Sequence, residues 1–245
     1  HFWTPDVYDG APTVFTSFMA TIVKAAVFVA FIRLFDEAFG NLHHKWKLTI
    51  ALITVATLFI GNITAVFQQS VKRMLAYSSI SQAGFMLLAI YSMNTDGKEG
   101  LLLYVLAYSL ATIGLFAVLA KMSDYSYDGF NGLARQQPFL ALLITIFVLS
   151  LSGIPLTAGF LSKFLMLKAT LAAGGSLWLV IVAVVMAVIS ISYYFRILQA
   201  MYFKNPEKEN IITVSPAFKW TLAVLAALLI LLGIFPNLVF GFYYF

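Results

Sequence analysis

The feature that most limits how this chain can fold is the recurrence of apolar runs long enough to cross a lipid bilayer. A helix rises 1.5 Å per residue, so about 20 apolar residues cover a hydrocarbon core of roughly 30 Å. Seven such spans can be laid on the sequence, approximately at residues 12–35, 48–68, 71–92, 100–121, 138–170, 176–202 and 216–235. Only 10% of the residues are charged and 62% are hydrophobic, whereas soluble domains carry about 25% charged residues. Too few charges remain to dress a surface facing water, so a soluble helical protein with a large core is the weaker reading. Inside a bilayer the backbone must satisfy its own polar groups. The expected fold class is therefore all-α and integral to the membrane, a polytopic bundle of about seven transmembrane helices forming a single domain over residues 1–245.

The chain has no cysteine, which excludes disulfides, iron–sulfur ligation and thiol chemistry. Its formal charge of +5 does not call for nucleic acid, because Lys and Arg of membrane proteins gather in cytoplasmic loops. One set of helix ends holds Lys72, Arg73, Lys121, Arg135, Arg196, Lys204, Lys208 and Lys219, and the other Arg33, Lys45, Lys47 and Lys98. Eight against four puts the first set inside, with His1 on the cytoplasmic side. The opening HFWTPDVYDGAP is polar and contains prolines. It reads as an interior loop, from which an N-terminal truncation is expected.

Lys24 lies twelve residues into the first span, which places it about 18 Å along that helix, near the bilayer midplane. A lysine at that depth costs about 2.5–3.5 kcal/mol on insertion scales, and an ionisable group there is read as functional by default. Thr13, Ser17 and Thr21 precede it at helical spacing. The stripe reads either as a water-lined half-channel rising to a titratable amine or as small-residue helix packing.

The fifth span, FLALLITIFVLSLSGIPLTAGFLSKFLMLKA, is too long for one straight crossing and is interrupted at Gly153 and Pro155. Proline lacks an amide hydrogen and clashes with the preceding turn. Carbonyls freed in this way are tolerated in a bilayer only where protein or water satisfies them, as in the broken helices of transporters. Lys163 follows the break, with Ser162 beside it, and is the second candidate site. Lys168 stands nearer the outer end and is expected to snorkel to the surface. Further stripes are Thr54, Thr57, Gly61, Thr64 and Gln68; Ser78, Ser81 and Gln82; and Tyr104, Tyr108 and Thr112. Together they read as the lining of a hydrated axis, and each alone equally as packing. No acidic residue falls within a span, so a carboxylate partner must come from elsewhere. Burial disfavours the charged form of an amine, which suits proton exchange near neutral pH. His43 and His44 are placed in an outer loop, and without a third ligand no metal site is expected.

Three stretches carry a resemblance: HFWTPDVYDGAPTVFTSFMATIVKAAVF, GNITAVFQQSVKRMLAYSSISQAGFMLLAI and LSLSGIPLTAGFLSKF. Over nearly the whole chain the sequence resembles the antiporter-like subunit N family of respiratory complex I, the NADH–quinone oxidoreductase subunit called subunit 2 in mitochondria. KRMLAYSSI is shared with cation/proton antiporter relatives, whereas WTPDVYDGAP followed by Lys24 is more particular to subunit N. Relatives of the subunit L type typically carry a histidine motif in that helix, which MATIVKAAV lacks.

The resemblance implies a fourteen-helix fold with two inverted five-helix repeats, of which this chain would hold helices eight to fourteen as the C-terminal half. It implies proton translocation coupled to quinone reduction elsewhere. Lys24 would be the connecting lysine of helix eight, and Lys163 the lysine of broken helix twelve beside the exit half-channel. Thr13, Ser17, Thr21, Ser78, Ser81, Tyr108 and Ser162 are the candidate lining of the path, with the helix break at Gly153 and Pro155. Lys72 matches a family position at the start of helix ten and is expected to anchor at the interface. No cofactor is expected in this chain; NADH, FMN, iron–sulfur clusters and quinone belong to other subunits. The implied partners are antiporter-like subunit M, small subunits K and J, and the lipid bilayer, with no nucleic acid. A bacterial inner membrane is the expected location, with mitochondrial and thylakoid membranes as alternatives. A subunit of a cation/proton antiporter or of a membrane-bound hydrogenase is the competing functional reading, and a non-conducting membrane scaffold a third.

Overall fold

The structure is a computed structural model that describes residues 1–174, 176–205 and 214–240. Lys208, counted above among the basic helix ends, lies outside the described residues. A short helix α1 (Thr4–Gly10) precedes the long helix α2 (Thr13–Ala38), which contains π-helical turns at Met19–Val23 and Leu34–Ala38. There follow α3 (His43–Val66), α4 (Val71–Ser92), α5 (Thr95–Leu119), the single turn α6 (Leu133–Gln136), α7 (Pro138–Ser152), α8 (Ala158–Ala172), α9 (Leu177–Phe203), α10 (Pro216–Ile234) and the single turn α11 (Asn237–Phe240). Six of these helices are long and apolar enough to cross a membrane, and α7 is a shorter apolar helix.

Local chemistry sets the helix ends. Ser70, Asn94 and Ser215 cap α4, α5 and α10 by accepting the backbone N–H groups of Arg73, Gly97 and Phe218. Pro138 and Pro216 open α7 and α10 at the position where a missing N–H does no harm. α7 stops because Gly153 adopts a left-handed conformation, φ 81°, which glycine reaches without steric penalty. The next turn is made by Ile154–Thr157, where Leu156 also takes a positive φ of 75°.

The centre of the bundle is α4, the least apolar of the six long helices and the most buried. In a soluble protein that pairing would be inverted; here the outer helices α2, α3, α9 and α10 turn apolar faces outward and α4 carries the polar side chains inward. α3 lies directly on α4. A Cβ placed on Gly61 would stand 2.6 Å from the Ser81 backbone nitrogen, so only glycine permits this approach. Of the Thr54, Thr57, Gly61, Thr64, Gln68 stripe, Gly61 makes that close approach. Thr54 and Gln68 bond within their own helix, to the Ile50 and Thr64 carbonyls.

Two stretches differ from expectation. The polar opening forms a helix, because Pro5 stands at its first turn and Lys72 donates to the carbonyls at its far end, Asp9 (3.0 Å) and Ala11 (2.7 Å). His43 and His44 lie in the first turn of α3 and not in a loop; the His43 Nε2 bonds the Tyr91 carbonyl at 3.0 Å and its ring packs edge-on against Trp46.

Candidate functional site

Lys24 leaves α2 directly after the π turn Met19–Val23. Such turns take up an extra residue and break the strict helical spacing. The stripe that precedes Lys24 is correspondingly dispersed. Thr13 pairs with the Tyr125 hydroxyl at 3.3 Å, and Thr21 donates to the Ser17 carbonyl of its own helix at 2.6 Å. Ser17 and Thr21 border a groove of about 300 Å³ between α2 and α5 whose other walls are Val14, Phe18, Ile22, Ile113, Phe116, Ala117 and Ala120. That groove is overwhelmingly apolar and does not form a polar channel.

The half-buried Lys24 side chain points inward between α4 and α5. Its amine donates to the Ser79 carbonyl at 2.6 Å and also to the Ser79 hydroxyl. It lies 5.1 Å from the centroid of the Tyr108 ring, within cation–π range. The Tyr108 hydroxyl donates to the same Ser79 oxygen at 3.0 Å. One turn back along α5, Tyr104 stacks on Tyr108 with ring centroids 6.4 Å apart, and its hydroxyl donates to the Gln82 carbonyl oxygen. The Gln82 amide then donates to the Tyr194 hydroxyl and to the Leu151 carbonyl, each at 3.1 Å.

Leu151 is where this chain meets Lys163. The Lys163 amine donates to the Leu151 carbonyl at 2.8 Å, with the Ser152 carbonyl at 3.5 Å, and sits 4.7 Å from the centroid of Phe85 on α4. Both carbonyls belong to the last turn of α7 and are left without helical partners by the break at Gly153. The negative end of the α7 dipole points the same way. Lys163 is 5% exposed, and these oxygens with the ring face offset the penalty of burying an amine. The break makes the site: the left-handed Gly153 turn leaves Lys163 Cδ only 3.0 Å from where a Cβ would stand. Pro155 then redirects the chain into α8.

A connected polar line therefore runs from Lys24 through Ser79, Tyr108, Tyr104, Gln82 and the Leu151 carbonyl to Lys163. One link, Tyr108 to Tyr104, is a ring stack and not a hydrogen bond. Ser78 joins from the side by bonding Tyr194, whose neighbour Tyr193 donates to Asn62 at 3.0 Å. Ser81, near Tyr193, and Thr112, near Tyr108, are buried with hydroxyls that reach no hydrogen-bond partner at good geometry.

Of the sequence candidates, Lys24, Lys163, Tyr108 and Ser78 take part in this network, and Gly153 and Pro155 shape its end. Ser162 is fully buried, but its hydroxyl returns to the Ala158 carbonyl at 2.7 Å and leaves Lys163 alone. The sequence reading missed Ser79, which binds Lys24 where Ser78 and Ser81 were expected to line the path, and also Tyr8, Tyr194 and Phe85. The run YSSISQ holds three serines within four residues on a helix buried all round, so periodicity cannot choose among them. Among the described residues no group of three or more His, Asp or Glu gathers as a metal centre. Lys168 is half-exposed and pairs with Asp96 at 2.9 Å.

A membrane bundle with a centrally broken helix and a lysine turned onto its freed carbonyls is the architecture of an antiporter-like module. The chain belongs to the NADH:quinone oxidoreductase/Mrp antiporter transmembrane family, which matches residues 1–190. It is 38% identical to a protein of Nitrosomonas europaea named NADH-quinone oxidoreductase subunit N, over 98% of this chain and 51% of the relative. It is 40% identical to NADH-quinone oxidoreductase subunit N 1 of Herpetosiphon aurantiacus, over 97% of this chain and 50% of the relative. A chain in the structure of respiratory complex I from Thermus thermophilus with bound aureothin is 37% identical with a TM-score of 0.85, covering 98% of this chain and 54% of that one. The chain thus spans about half the length of the curated relatives it matches.

Proposed function

We propose that this chain forms part of a proton-translocating membrane subunit of an NADH:quinone oxidoreductase, in which Lys24 and Lys163 exchange protons along the bundle axis. The observation that carries this reading is the polar line joining the two amines through Ser79, Tyr108, Tyr104, Gln82 and Leu151. A buried amine held by neutral oxygens can give up or take a proton without breaking an ion pair. The hydroxyls of Ser79, Tyr108 and Tyr104 both donate and accept and can hand a proton on. Water completes the stacked step between Tyr108 and Tyr104 and the step from Gln82 to Lys163, because both of these donate to the Leu151 carbonyl, which has no hydrogen to pass.

Quinone reduction takes place elsewhere in the complex and reaches these lysines as electrostatic and hydration changes. Among partners, antiporter-like subunit M, small subunits K and J, and lipid fit the outward apolar faces of α2, α3 and α10. NADH, FMN, iron–sulfur clusters and quinone reside in other subunits, and the complex sits in a bacterial inner membrane with the Lys72 end of the bundle inside. Relatives named NADH-quinone oxidoreductase subunit N favour this reading over a stand-alone cation/proton antiporter. The test is Lys163→Ala in the full-length subunit within the intact complex, reconstituted in vesicles. We expect quinone reduction to lose most of its associated proton uptake. Normal assembly with unchanged proton uptake per NADH sinks the proposal. Purification of the full-length protein without quinone-reducing partners transfers it to the antiporter class.

A further inference from the structure

We infer that α1 is a plug closing the approach to Lys24 from its own end of the bundle, with Tyr8 as the inserted side chain and Lys72 as the latch. This rests on the reading of Lys24 as a proton-exchanging group and adds the side from which protons do not reach it. Tyr8 is 2% exposed although it lies on a seven-residue helix outside the long spans. Its hydroxyl is within hydrogen-bonding reach of Ser79, the residue that binds Lys24. Burial pushes the phenol above its ordinary value of 10, and the Ser79 hydroxyl draws it back. The Tyr8 carbonyl is fixed as well, by the Thr16 hydroxyl at 3.0 Å.

The hydrogen-bond inventory of Ser79 shows why this closes the site. A serine hydroxyl has two acceptor lone pairs and one donor hydrogen. Lys24 and Tyr108 donate to the two lone pairs, and the buried Tyr8 phenol stands beside that hydroxyl. Water arriving from the α1 side finds both acceptor positions of that hydroxyl taken and meets the buried Tyr8 unless that side chain withdraws. Lys72 decides whether it can. Its side chain is 3% exposed, its amine donates to the Asp9 and Ala11 carbonyls, and it rests 5.2 Å from the Tyr125 ring centroid. Arg73 adds ion pairs to Asp6 at 3.1 Å and Asp9 at 3.8 Å, both solvent-accessible and therefore weak. The buried Lys72 is the stronger hold. Below α1 the hydroxyls of Thr13, Thr16 and Thr21 are all engaged and the neighbouring groove is apolar. The Thr13 and Thr21 hydroxyls of the α2 stripe are thus engaged by protein, and Ser17 borders an apolar groove, which makes a poor inlet for water.

The chain contains no cysteine, so an introduced thiol is the one thiol of this segment, and modification of the peptide that carries it reports access. Ser79→Cys is placed in the full-length subunit, and membranes are treated from the α1 side with a charged, impermeant methanethiosulfonate. Labelling of this subunit is followed by mass spectrometry. With Tyr8 and Lys72 intact we expect slow modification. Lys72→Ala and Tyr8→Ala should each accelerate it at least tenfold, and Lys72→Arg, which keeps donors for the two carbonyls, should restore protection. Fast labelling of Ser79→Cys alone, or equal rates in all four proteins, overturns the plug. Should the Lys72→Ala protein fail to assemble, Tyr8→Ala decides, because it leaves Lys72 and Arg73 in place. The readout is a labelling rate and not proton uptake, so failure of the lysine relay, seen as normal pumping by a Lys24 variant, is distinguishable from failure of the plug.

Discussion

Lys24 and Lys163 reach the same polar line from opposite kinds of helix. Lys24 stands on α2, a continuous helix whose apolar span is 17% buried, and its amine is held by the oxygens of one residue, Ser79. Lys163 stands on α8, just past a break, is 5% exposed, and is held by carbonyls that exist as free acceptors only because α7 stops at Gly153. The Ser79 carbonyl belongs to the interior of α4, where a helical N–H already occupies one lone pair. Releasing Lys24 therefore orphans little. Releasing Lys163 leaves the Ser152 carbonyl without a donor, at roughly 1–3 kcal/mol for a buried unsatisfied group. One site is a lysine placed on a helix; the other is a helix broken to receive a lysine. The first is suited to handing a proton on, the second to holding it.

The harshest way to break that contrast is Gly153→Val. A β-branched residue at φ 81° carries a backbone penalty of at least about 1–2 kcal/mol, and its Cβ would stand 3.0 Å from the Lys163 Cδ. We expect a lower thermal midpoint of the purified subunit complex together with loss of most proton uptake. A protein of unchanged midpoint that pumps normally would mean that the turn is incidental to Lys163.

Lys24→Met should come next and separate function from stability. The alkyl chain stays, the amine goes, and the α4 ladder is untouched, so stability should remain within about 0.5 kcal/mol of the parent. Proton uptake should nevertheless fall by about tenfold, the equivalent of about 1.4 kcal/mol. Equal destabilisation by Lys24→Met and Lys163→Met, measured by thermal unfolding, would erase the distinction drawn here.

These two lysines and the break were legible in the sequence because each violates a simple rule: a charge at mid-span, and a glycine and proline inside an apolar run. The link between them was not. α4 is 94% buried over its apolar window, so it has no outward face against which an inward one can be read. Ser78, Ser79 and Ser81 consequently look alike, and only the depth at which Lys24 meets α4 selects Ser79. α1 was hidden for a different reason. Its helix is closed by an amine 61 residues away from Ala11, a contact that no local signal announces. The π turn before Lys24 likewise shifts a stripe that strict spacing would have kept in register.

Gln82→Leu should have a smaller effect on proton uptake than either lysine variant. Gln82 joins Tyr104, Tyr194 and the Leu151 carbonyl, so leucine of similar size cuts the line midway and leaves both amines in place. Because Lys163 still donates to Leu151, the loss falls on transfer between the sites and not on the broken helix. Proton uptake reduced about fivefold is expected, corresponding to about 1 kcal/mol, with a lower thermal midpoint because the buried Tyr104 hydroxyl loses its acceptor.

The mildest probe is Tyr108→Phe, and it tests how Lys24 is held. The ring beneath the amine remains, which preserves the cation–π contact at 5.1 Å, and only the bond from the phenol to Ser79 at 3.0 Å disappears. A neutral hydrogen bond contributes about 0.5–1.5 kcal/mol net, and the lower part of that range, about 0.5–1 kcal/mol, corresponds to the two- to fivefold drop in proton uptake expected here. The Ser79 hydroxyl keeps the Lys24 amine as a donor, which limits the damage. Tyr104→Phe removes the hydroxyl that reaches Gln82 and leaves no such lysine donor behind, so it should be the more severe of the two. If Tyr108→Phe instead matches Lys24→Met in measured proton uptake, then the phenol and not the amine is the group that matters at this end. The comparison between the two lysines would have to be redrawn as one between a tyrosine and a lysine.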